Sequence, residues 1–310
     1  MYDIVGKRKW FFILSSVLIL LGIGAMVYST IQFGTPMRIG VDFTGGSRFE
    51  VRFVETASEQ DIRQVFVGYG LDPTIQQLGD PSTNTWQIRT TFVDPEQVPQ
   101  MLDDLDAQVA PLNREVTRYD AVSPSVGGEV TRAAAVAVVV ASIIVLLFIW
   151  FSFRRVAHAF RYGASAIAAM LHNLLIAAGF FSIMGLLRGW EVDALFLTAI
   201  LTVVGFSVQD SIVVFDRVRE NAQRRREPLA ALVNRSILEV IVRSVTTQLN
   251  AMFVMTAILL FGGASLEKFV ATWLVGMVSG TYSSICIAAP LLIEWENAAE
   301  RRELGAQAAA

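Results

Sequence analysis

The stretch Leu195–Glu220, LFLTAILTVVGFSVQDSIVVFDRVRE, decides how the chain folds, because it is apolar enough to cross a bilayer. It carries Asp210 inside the apolar run, with Gln209 beside it and Gly205 a little more than one helical turn earlier. A carboxylate in a membrane helix costs about 2.5–3.5 kcal/mol on insertion scales, so such a group usually marks a proton or ion path and has a partner. The sequence therefore predicts a membrane protein with an ionisable site in this span.

Composition extends this prediction to the whole chain. Of the 310 residues, 54% are hydrophobic, which is typical of a chain with several membrane spans. Six apolar runs are each near the ~20 residues that a helix needs to cross a ~30 Å core, and they predict six transmembrane helices. These lie at 10–31, 132–153, 163–187, 192–215, 241–261 and 269–293. The first run is longer than a signal-peptide core and lacks a small-residue cleavage pattern, so it is interpreted as an uncleaved span. The single Cys286 excludes a disulfide framework.

The positive residues predict the orientation of these spans. Arginines and lysines concentrate in the segment 1–9, between spans two and three, in the loop 216–240 and in the tail 294–310. They include Lys7, Arg8, Lys9, Arg154, Arg155, Arg161, Arg217, Arg219, Arg224, Arg225, Arg226, Arg301 and Arg302. Because such residues favour the cytoplasmic side, both termini are predicted to be cytoplasmic.

The segment 34–125 is predicted to be a domain on the opposite, extracytoplasmic side. Its pattern predicts strands at 47–54, 74–78, 86–92 and 114–119, with helices at 58–69 and 95–109. This βαββαβ order is that of a ferredoxin-like α+β domain. Ser58 with Asp61 predicts a capping box, Asp94-Pro95 predicts a cap with a first-turn proline, and Gly79-Asp80-Pro81 predicts the turn between the middle strands. Lacking His, Cys or clustered carboxylates, the domain is interpreted as a docking or substrate-contacting module, or as a domain with no site of its own.

A glycine-rich segment, Gly40–Gly46 (GVDFTGG), joins the first span to this domain. Its glycines permit a tight turn with positive φ. It is weak support for phosphate binding, and no GxxxxGK[ST] pattern occurs in the chain. We therefore expect any energy for work to come from elsewhere.

A partner for Asp210 is sought by depth in the membrane. At 1.5 Å per residue, Asp210 lies about 25 Å along span four and Arg243 about 27 Å back along span five. Thr246, Thr247 and Asn250 follow Arg243 on one helix face, so a polar stripe of span five is expected to meet the face of span four that carries Gln209 and Asp210. Two alternatives remain: Arg243 snorkels to the headgroups, or Asp210 is a fixed structural ion-pair partner.

The motifs resemble one known family. Gly205–Asn221 is similar to the fourth-span signature of the SecF family of the bacterial protein-export machinery. Val41–Gly46 resembles that family's motif after the first span, Arg243 falls at its fifth-span arginine, and the segments Phe261–Gly263 and Gly280–Ile285 resemble its last loop and span. Three positions depart from the family pattern. Phe206 and Gln209 replace a usual Tyr and Asn, and His172-Asn173 replaces a His-Asp pair, which puts a proton relay through span three in doubt.

The resemblance implies a subunit of the proton-driven SecDF complex, within the RND superfamily and the bacterial inner membrane. It implies SecD, the SecYEG channel, SecA, YajC and a translocating polypeptide as partners, besides membrane lipid, with no enzyme activity, cofactor, metal or nucleic acid. Asp210 and Arg243 would couple protons to export, with Gln209, Thr246, Thr247, Asn250 and His172 as a supporting polar face. His172 is also explained as a packed core histidine.

The chain carries one domain and six spans without an internal repeat, whereas transporters of this superfamily pair two such units. Gly276 and Gly280 form a GxxxG pair for helix packing, either within the chain or against SecD, and as an alternative they only relieve crowding. Gly205 of span four is likewise expected to serve helix packing. Two other functions are left open. An RND-type exporter of lipid or small solutes would need a larger outer domain, and a non-coupled scaffold of the channel would not need Asp210 to titrate.

Overall fold

The structure, a computed structural model, describes residues 3–78, 81–154, 159–224 and 227–309. Gly79, Asp80, Arg155, Arg225 and Arg226, which entered the predictions above, lie outside the described residues, as does the side chain of Arg302. The helices are α1 (Arg8–Phe33), α2 (Val41–Thr44), α3 (Glu59–Gly68), α4 (Val98–Gln108), α5 (Pro124–Phe153), α6 (Ala159–Arg188), α7 (Ala194–Arg224), α8 (Leu229–Phe261), α9 (Ala264–Ser283) and α10 (Ala289–Ala309). The strands are β1 (Gly46–Arg52), β2 (Thr74–Leu78), β3 (Thr85–Thr90) and β4 (Arg118–Val122).

Within the described residues, six helical segments are long and apolar enough to cross a membrane, which confirms the predicted polytopic α-helical fold. The helices extend beyond the predicted spans. Helix α5 already begins at Pro124, so the residues just before the predicted second span at 132 are helical as well. Helix α7 runs to Arg224 and α8 begins at Leu229, so most of the predicted loop 216–240 is helix as well. Charged pairs such as Arg219–Asp216 at 3.0 Å support these polar extensions at helical spacing.

The last span is not one continuous α-helix. A π-helical segment, Ser284–Ala288, separates α9 from α10. Pro290 follows at the second position of α10 and has no N–H to donate to the carbonyl one turn earlier. The π segment shifts the backbone register before that proline, which is a recognised cause of helix irregularity. Apolar content alone predicts the span but carries no signal for this interruption.

The chain divides into two compact units. We call Met1–Val27, Val138–Phe181 and Leu195–Ala310 the helical unit, and Tyr28–Ala137 with Ser182–Ala194 the sheet unit. The sheet unit therefore contains the connection between α6 and α7, residues 189–193, in addition to the predicted domain.

The sheet unit is built on four antiparallel strands in the order β2-β3-β1-β4. With helices α3 and α4, this is the βαββαβ order predicted from the sequence and confirms the ferredoxin-like domain. Phe49 and Val51 of β1 and Ile88 of β3 point to a core that α3 and α4 complete with Phe66 and Met101. Alternation along each strand leaves the opposite face polar.

Local predictions in this domain have mixed outcomes. Ser58 caps α3, because its hydroxyl accepts a hydrogen bond from the Gln60 amide at 3.2 Å. The prediction that Pro95 opens the second helix is wrong: α4 begins at Val98, and Pro99 lies in its first turn. Asp94 instead accepts from the Glu96 amide at 3.1 Å and forms a separate turn. The last strand begins at Arg118 rather than 114, because a polar turn occupies 114–116.

In the helical unit, small residues allow close helix contacts. A Cβ added at Gly22 of α1 would lie 2.9 Å from the Cα of Gly179 in α6. Gly276 of α9 packs directly against the side chain of Val203 in α7, so this glycine serves packing within the chain. Asn234 of α8 accepts from the Ile4 amide at 2.9 Å and ties the amino terminus to the bundle.

Candidate functional site

Asp210 lies in the interior of the helical unit with only 6% of its surface exposed. It belongs to the buried face of α7, on which Val203, Ser207, Val214 and Val218 recur at helical spacing. Its Oδ2 accepts a hydrogen bond of 2.6 Å from Nε2 of Gln248 on α8. A buried carboxylate bonded to a neutral amide, rather than to a cation, is costly to keep charged. The position of Asp210 therefore makes its charge a strong influence on how α7 packs against α8.

Gln248 was missed by the sequence analysis, which followed the neighbouring stripe of α8. Ser244 and Gln248, at i and i+4, lie on the buried face and are 5% and 3% exposed. The sequence signal for Gln248 is its spacing of four residues from Ser244. Arg243 and Thr247 show the same spacing on the neighbouring face, so spacing alone does not tell which face is buried. The structure separates these two faces.

Arg243 lies on the exposed side of α8 in this chain, together with Thr246, Thr247 and Asn250. The Thr247 hydroxyl donates to the Arg243 carbonyl at 2.9 Å. Arg243 and Asp210 are both described, and no ion pair joins them, so the stripe of Arg243 does not meet Asp210 within this chain in this structure. Successive residues of an α-helix are rotated by about 100° around its axis. Because Ser244 faces the interior, the stripe that begins at Arg243 faces outward.

The span-four residues beside Asp210 also divide between the two sides of α7. Gln209 and Gly205 are exposed, and a Cβ at Gly205 would meet no other heavy atom within 4 Å. Gly205 is therefore not needed for close packing within this chain. A Cβ added at Gly280 of α9, by contrast, would lie 3.8 Å from Nδ2 of Asn173, which is an ordinary contact distance.

A second buried polar cluster surrounds Asn173 of α6, which is 0% exposed. Its Nδ2 donates to the Ser207 hydroxyl at 2.7 Å, and its Oδ1 accepts from the Ser279 hydroxyl at 2.7 Å. The Oδ1 atom also lies 3.0 Å from Nδ1 of His172. Asn173 thus joins α6, α7 and α9, and Ser207 lies one turn before Asp210 on α7.

Several buried polar atoms around these clusters have no hydrogen-bond partner among the described residues. They are Oε1 of Gln248, Oγ of Ser211 and Nε2 of His172. Buried polar groups are normally paired, so each of these atoms calls for an explanation. Of these, Oε1 of Gln248 belongs to the amide that already donates to Asp210, so this amide has acceptor capacity that the structure does not use.

Comparisons with known proteins agree with this architecture. The sequence model described as "Protein export membrane protein SecD/SecF, C-terminal" matches residues 102–298, and "SecD/SecF GG Motif" matches residues 31–57. The chain belongs to the SecD/SecF family. Protein translocase subunit SecF of Anaerolinea thermophila is 42% identical, covering 96% of this chain and 95% of the relative. The SecF subunit of Thermobaculum terrenum is 40% identical, with the same coverage of both chains.

SecDF proteins contain a region like this chain within a longer polypeptide. SecDF of Bacillus subtilis is 32% identical over 96% of this chain but only 38% of its own length. A similar solved structure is the crystal structure of SecDF from Thermus thermophilus, which is described as a translocon-associated membrane protein. Its TM-score with this chain is 0.76 and its sequence identity is 28%. The match covers 96% of this chain and 39% of that chain. The chain therefore corresponds to about two fifths of that structure. Membership of the SecD/SecF family gives it a SecDF-type role in protein export.

The SecD/SecF glycine motif has a structural explanation in this family member. Asp42, within α2, accepts from the Ala194 amide at 3.1 Å and thereby caps the amino terminus of α7. Gly45 and Gly46 have φ of 70° and 111°. A Cβ at Gly46 would lie 2.6 Å from the Thr90 carbonyl oxygen. The motif therefore needs glycine for its turn and contributes a side chain to α7.

Among the described residues, no group of three or more His, Cys, Asp or Glu side chains is arranged to hold a metal ion. The side-chain donor that the structure shows for Asp210 is instead the Gln248 amide. This chemistry suits hydrogen bonding and proton binding.

Proposed function

We propose that the chain is the SecF-like half of a SecDF-type complex that uses the proton motive force to promote protein export across the cytoplasmic membrane. Asp210 would carry the proton. The observation that carries the proposal is the burial of this carboxylate beside a neutral amide in a membrane-spanning helix. One charge moved through 100 mV is worth about 2.3 kcal/mol, a shift of about fifty-fold in a two-state equilibrium.

Gln248 supports this role because an amide is able to serve both protonation states of Asp210. The charged carboxylate accepts from Nε2, as observed. A protonated carboxyl group has an O–H to donate, and Oε1 of Gln248 is an acceptor with no partner among the described residues. Rotation of the amide would exchange the two groups. An arginine in this place would favour only the charged state.

The outward stripe of α8 supports a second proposal, that the SecD half covers this surface. Arg243, Thr246, Thr247 and Asn250 are exposed on a helix that is otherwise suited to the membrane. Polar and charged groups at such positions normally face protein or water rather than lipid. The exposed Gly205 and Gln209 on α7 belong to the same proposal. Arg243 would then act in coupling from the partner-facing side.

Asp210→Asn tests the coupling. The asparagine keeps an oxygen that accepts from Gln248 but removes the charge. We expect proton-gradient-dependent export, measured in inverted vesicles with the SecD partner, to fall to the level seen without a gradient. The matched control is Asp216→Asn on the same helix, because Asp216 is 61% exposed and pairs with Arg219 at 3.0 Å. Full gradient dependence in Asp210→Asn would contradict proton coupling and favour a non-coupled scaffold, for which the Asp210–Gln248 hydrogen bond would be purely structural.

The orientation and the remaining partners belong to the same proposal. Both termini are proposed to be cytoplasmic, as the positive residues indicate. Single cysteines at either terminus, in a Cys286→Ala background, should react with a membrane-impermeant reagent only in inverted vesicles. Association with SecYEG, SecA and YajC rests on the family resemblance, and co-purification of the whole complex tests it.

A further inference from the structure

Two arginines lie directly opposite each other on the polar face of the sheet, and their repulsion would destabilise the pairing of the strands. Arg48 of β1 lies directly opposite Arg89 of β3, and Glu50 lies opposite Gln87. Directly opposed residues of antiparallel strands share a face and come close together, and like charges at such positions repel. Asp120 of β4, opposite Arg48 on its other side, forms an ion pair with Arg48. Arg89 requires another anion.

Glu191 supplies that anion from the connection between α6 and α7. Its side chain is 0% exposed. One carboxylate oxygen accepts from Nε2 of Gln87 at 2.7 Å and lies 3.3 Å from Nη1 of Arg89. The other oxygen lies 3.5 Å from Nη1 of Arg48. Both oxygens of a completely buried carboxylate are thus engaged, by the two opposed arginines and by the Gln87 amide.

Arg38, just after α1, adds a further positive charge to this cluster. It is 7% exposed and donates to Oε1 of Gln76 on β2. Burial lowers the pKa of Arg38, and the charge of Glu191 opposes that shift. Arginine remains protonated under any physiological condition. Without Glu191, Arg38, Arg48 and Arg89 would therefore lie close together on a partly buried surface, with the ion-paired Asp120 and the nearby Glu50 as described counter-charges to Arg48.

Backbone contacts tie the same connection to the segment before β1. The Val192 amide donates to the Arg38 carbonyl at 2.7 Å, and the Gly40 amide donates to the Val192 carbonyl at 2.8 Å. Ile39 and Val192 form a parallel β-bridge. These bonds fix two residues of the connection immediately before α7 begins at Ala194.

We propose that Glu191 is a positioning residue that clamps the α6–α7 connection onto the polar face of the sheet and so fixes where α7, the helix of Asp210, begins. The clamp is a claim about structure that stands independently of proton coupling. The clamp would also matter for export, because a fixed connection transmits movement of α7 to the sheet unit. This consequence rests on the proposed function.

The first test measures amide hydrogen exchange of the full chain with its SecD partner in lipid nanodiscs. Glu191→Gln keeps the shape of the side chain and an oxygen for Gln87 but removes the charge that holds Arg48 and Arg89. We expect the Gly40 and Val192 amides to exchange at least about tenfold faster, because a buried charge left without its partner strongly favours opening. Glu59→Gln is the matched control, since Glu59 is 52% exposed and pairs with Arg63 on the surface of α3. Unchanged exchange in Glu191→Gln would overturn the proposal.

The second test restores the clamp covalently. Paired strands are about 4.7–4.9 Å apart, within the range that a disulfide spans, so Ile39→Cys with Val192→Cys in a Cys286→Ala background replaces the bridge by a bond. In Glu191→Gln, oxidation should restore slow exchange and the gradient-dependent part of export, and reduction should abolish both. A folding defect would not reverse in this way.

The outcomes separate the two proposals. Suppose that Glu191→Gln leaves export unchanged and that the disulfide nevertheless restores slow amide exchange. Glu191 would then have no positioning role in export, and that part of the proposal would be overturned. If export by the wild-type chain shows no dependence on the proton gradient, the proposed function fails, and the exchange measurements alone then decide whether Glu191 is the clamp.

Discussion

Asn173 provides the sharpest test of how polar groups hold the helical unit together. Asn173→Ala removes the donor to Ser207 and the acceptor shared by Ser279 and His172. Hydrogen bonds between membrane helices average about 0.6 kcal/mol, so the two bonds to Ser207 and Ser279 give about 1.2 kcal/mol. The new cavity and the unpaired hydroxyls raise the expected loss to about 2–3 kcal/mol. The effect should be large because Asn173 is 0% exposed and links α6, α7 and α9.

The measurement is the free energy of unfolding of the full chain in bilayers, obtained by steric trapping with two tags on α6 and α9. Ser142→Ala is the control, because Ser142 is exposed on α5 and its hydroxyl only donates to the Val138 carbonyl of its own helix at 2.7 Å. The control should stay within about 0.5 kcal/mol of the wild type. A loss of less than about 0.5 kcal/mol for Asn173→Ala would refute the view that this amide joins the three helices.

Three further changes test separate parts of the fold. Gly22→Val forces a side chain against Gly179 at a position where even a Cβ lies 2.9 Å from the neighbouring Cα, so unfolding free energy in bilayers should fall by about 1–3 kcal/mol. Asp42→Ala removes the cap of α7 and should cost about 0.5–2 kcal/mol by the same measurement, whereas Asp42→Asn should retain most of it. The hydrogen bond to Asp104, with burial, raises the pKa of Tyr69 from 10.0 to about 12. The protonated phenol therefore stabilises the fold below about pH 10, and this advantage over Tyr69→Phe in thermal unfolding should disappear as the pH rises through about 12. An equal difference between the two proteins at pH 9 and pH 12 would contradict that assignment.

The membrane architecture and the ferredoxin-like domain could be predicted because their signals are local. Twenty apolar residues in a row, or alternation over five residues, report directly on the environment of the helix or strand. The helix ends were predicted less well. The polar extension of α7 to Arg224 depends on pairs such as Arg217 with Glu239 of α8, at 2.6 Å, which a span-by-span analysis does not connect.

The candidate site was predicted only in part, for a related reason. Asp210 is visible in the sequence because a charge interrupts an apolar run. Its partner is not visible, because Gln248 and Arg243 lie on neighbouring faces of the same helix and only packing decides which face is buried. Glu191 gives no such signal, since its burial depends on contacts with strands that are distant in the sequence.

The separation of Asp210 from Arg243 changes how coupling has to work under the proposed function. If Arg243 paired with Asp210 inside one chain, the guanidinium would compete with the proton for the carboxylate. Switching would then not need the partner subunit. Here the buried carboxylate is satisfied by an amide of its own chain, while the guanidinium lies on an exposed face of α8. A charged group on a membrane helix requires cover by protein or water. Under the proposed function, protonation of Asp210 would change its hydrogen bond to Gln248 and the packing of α7 on α8, and Arg243 would respond at the surface where a second half would bind.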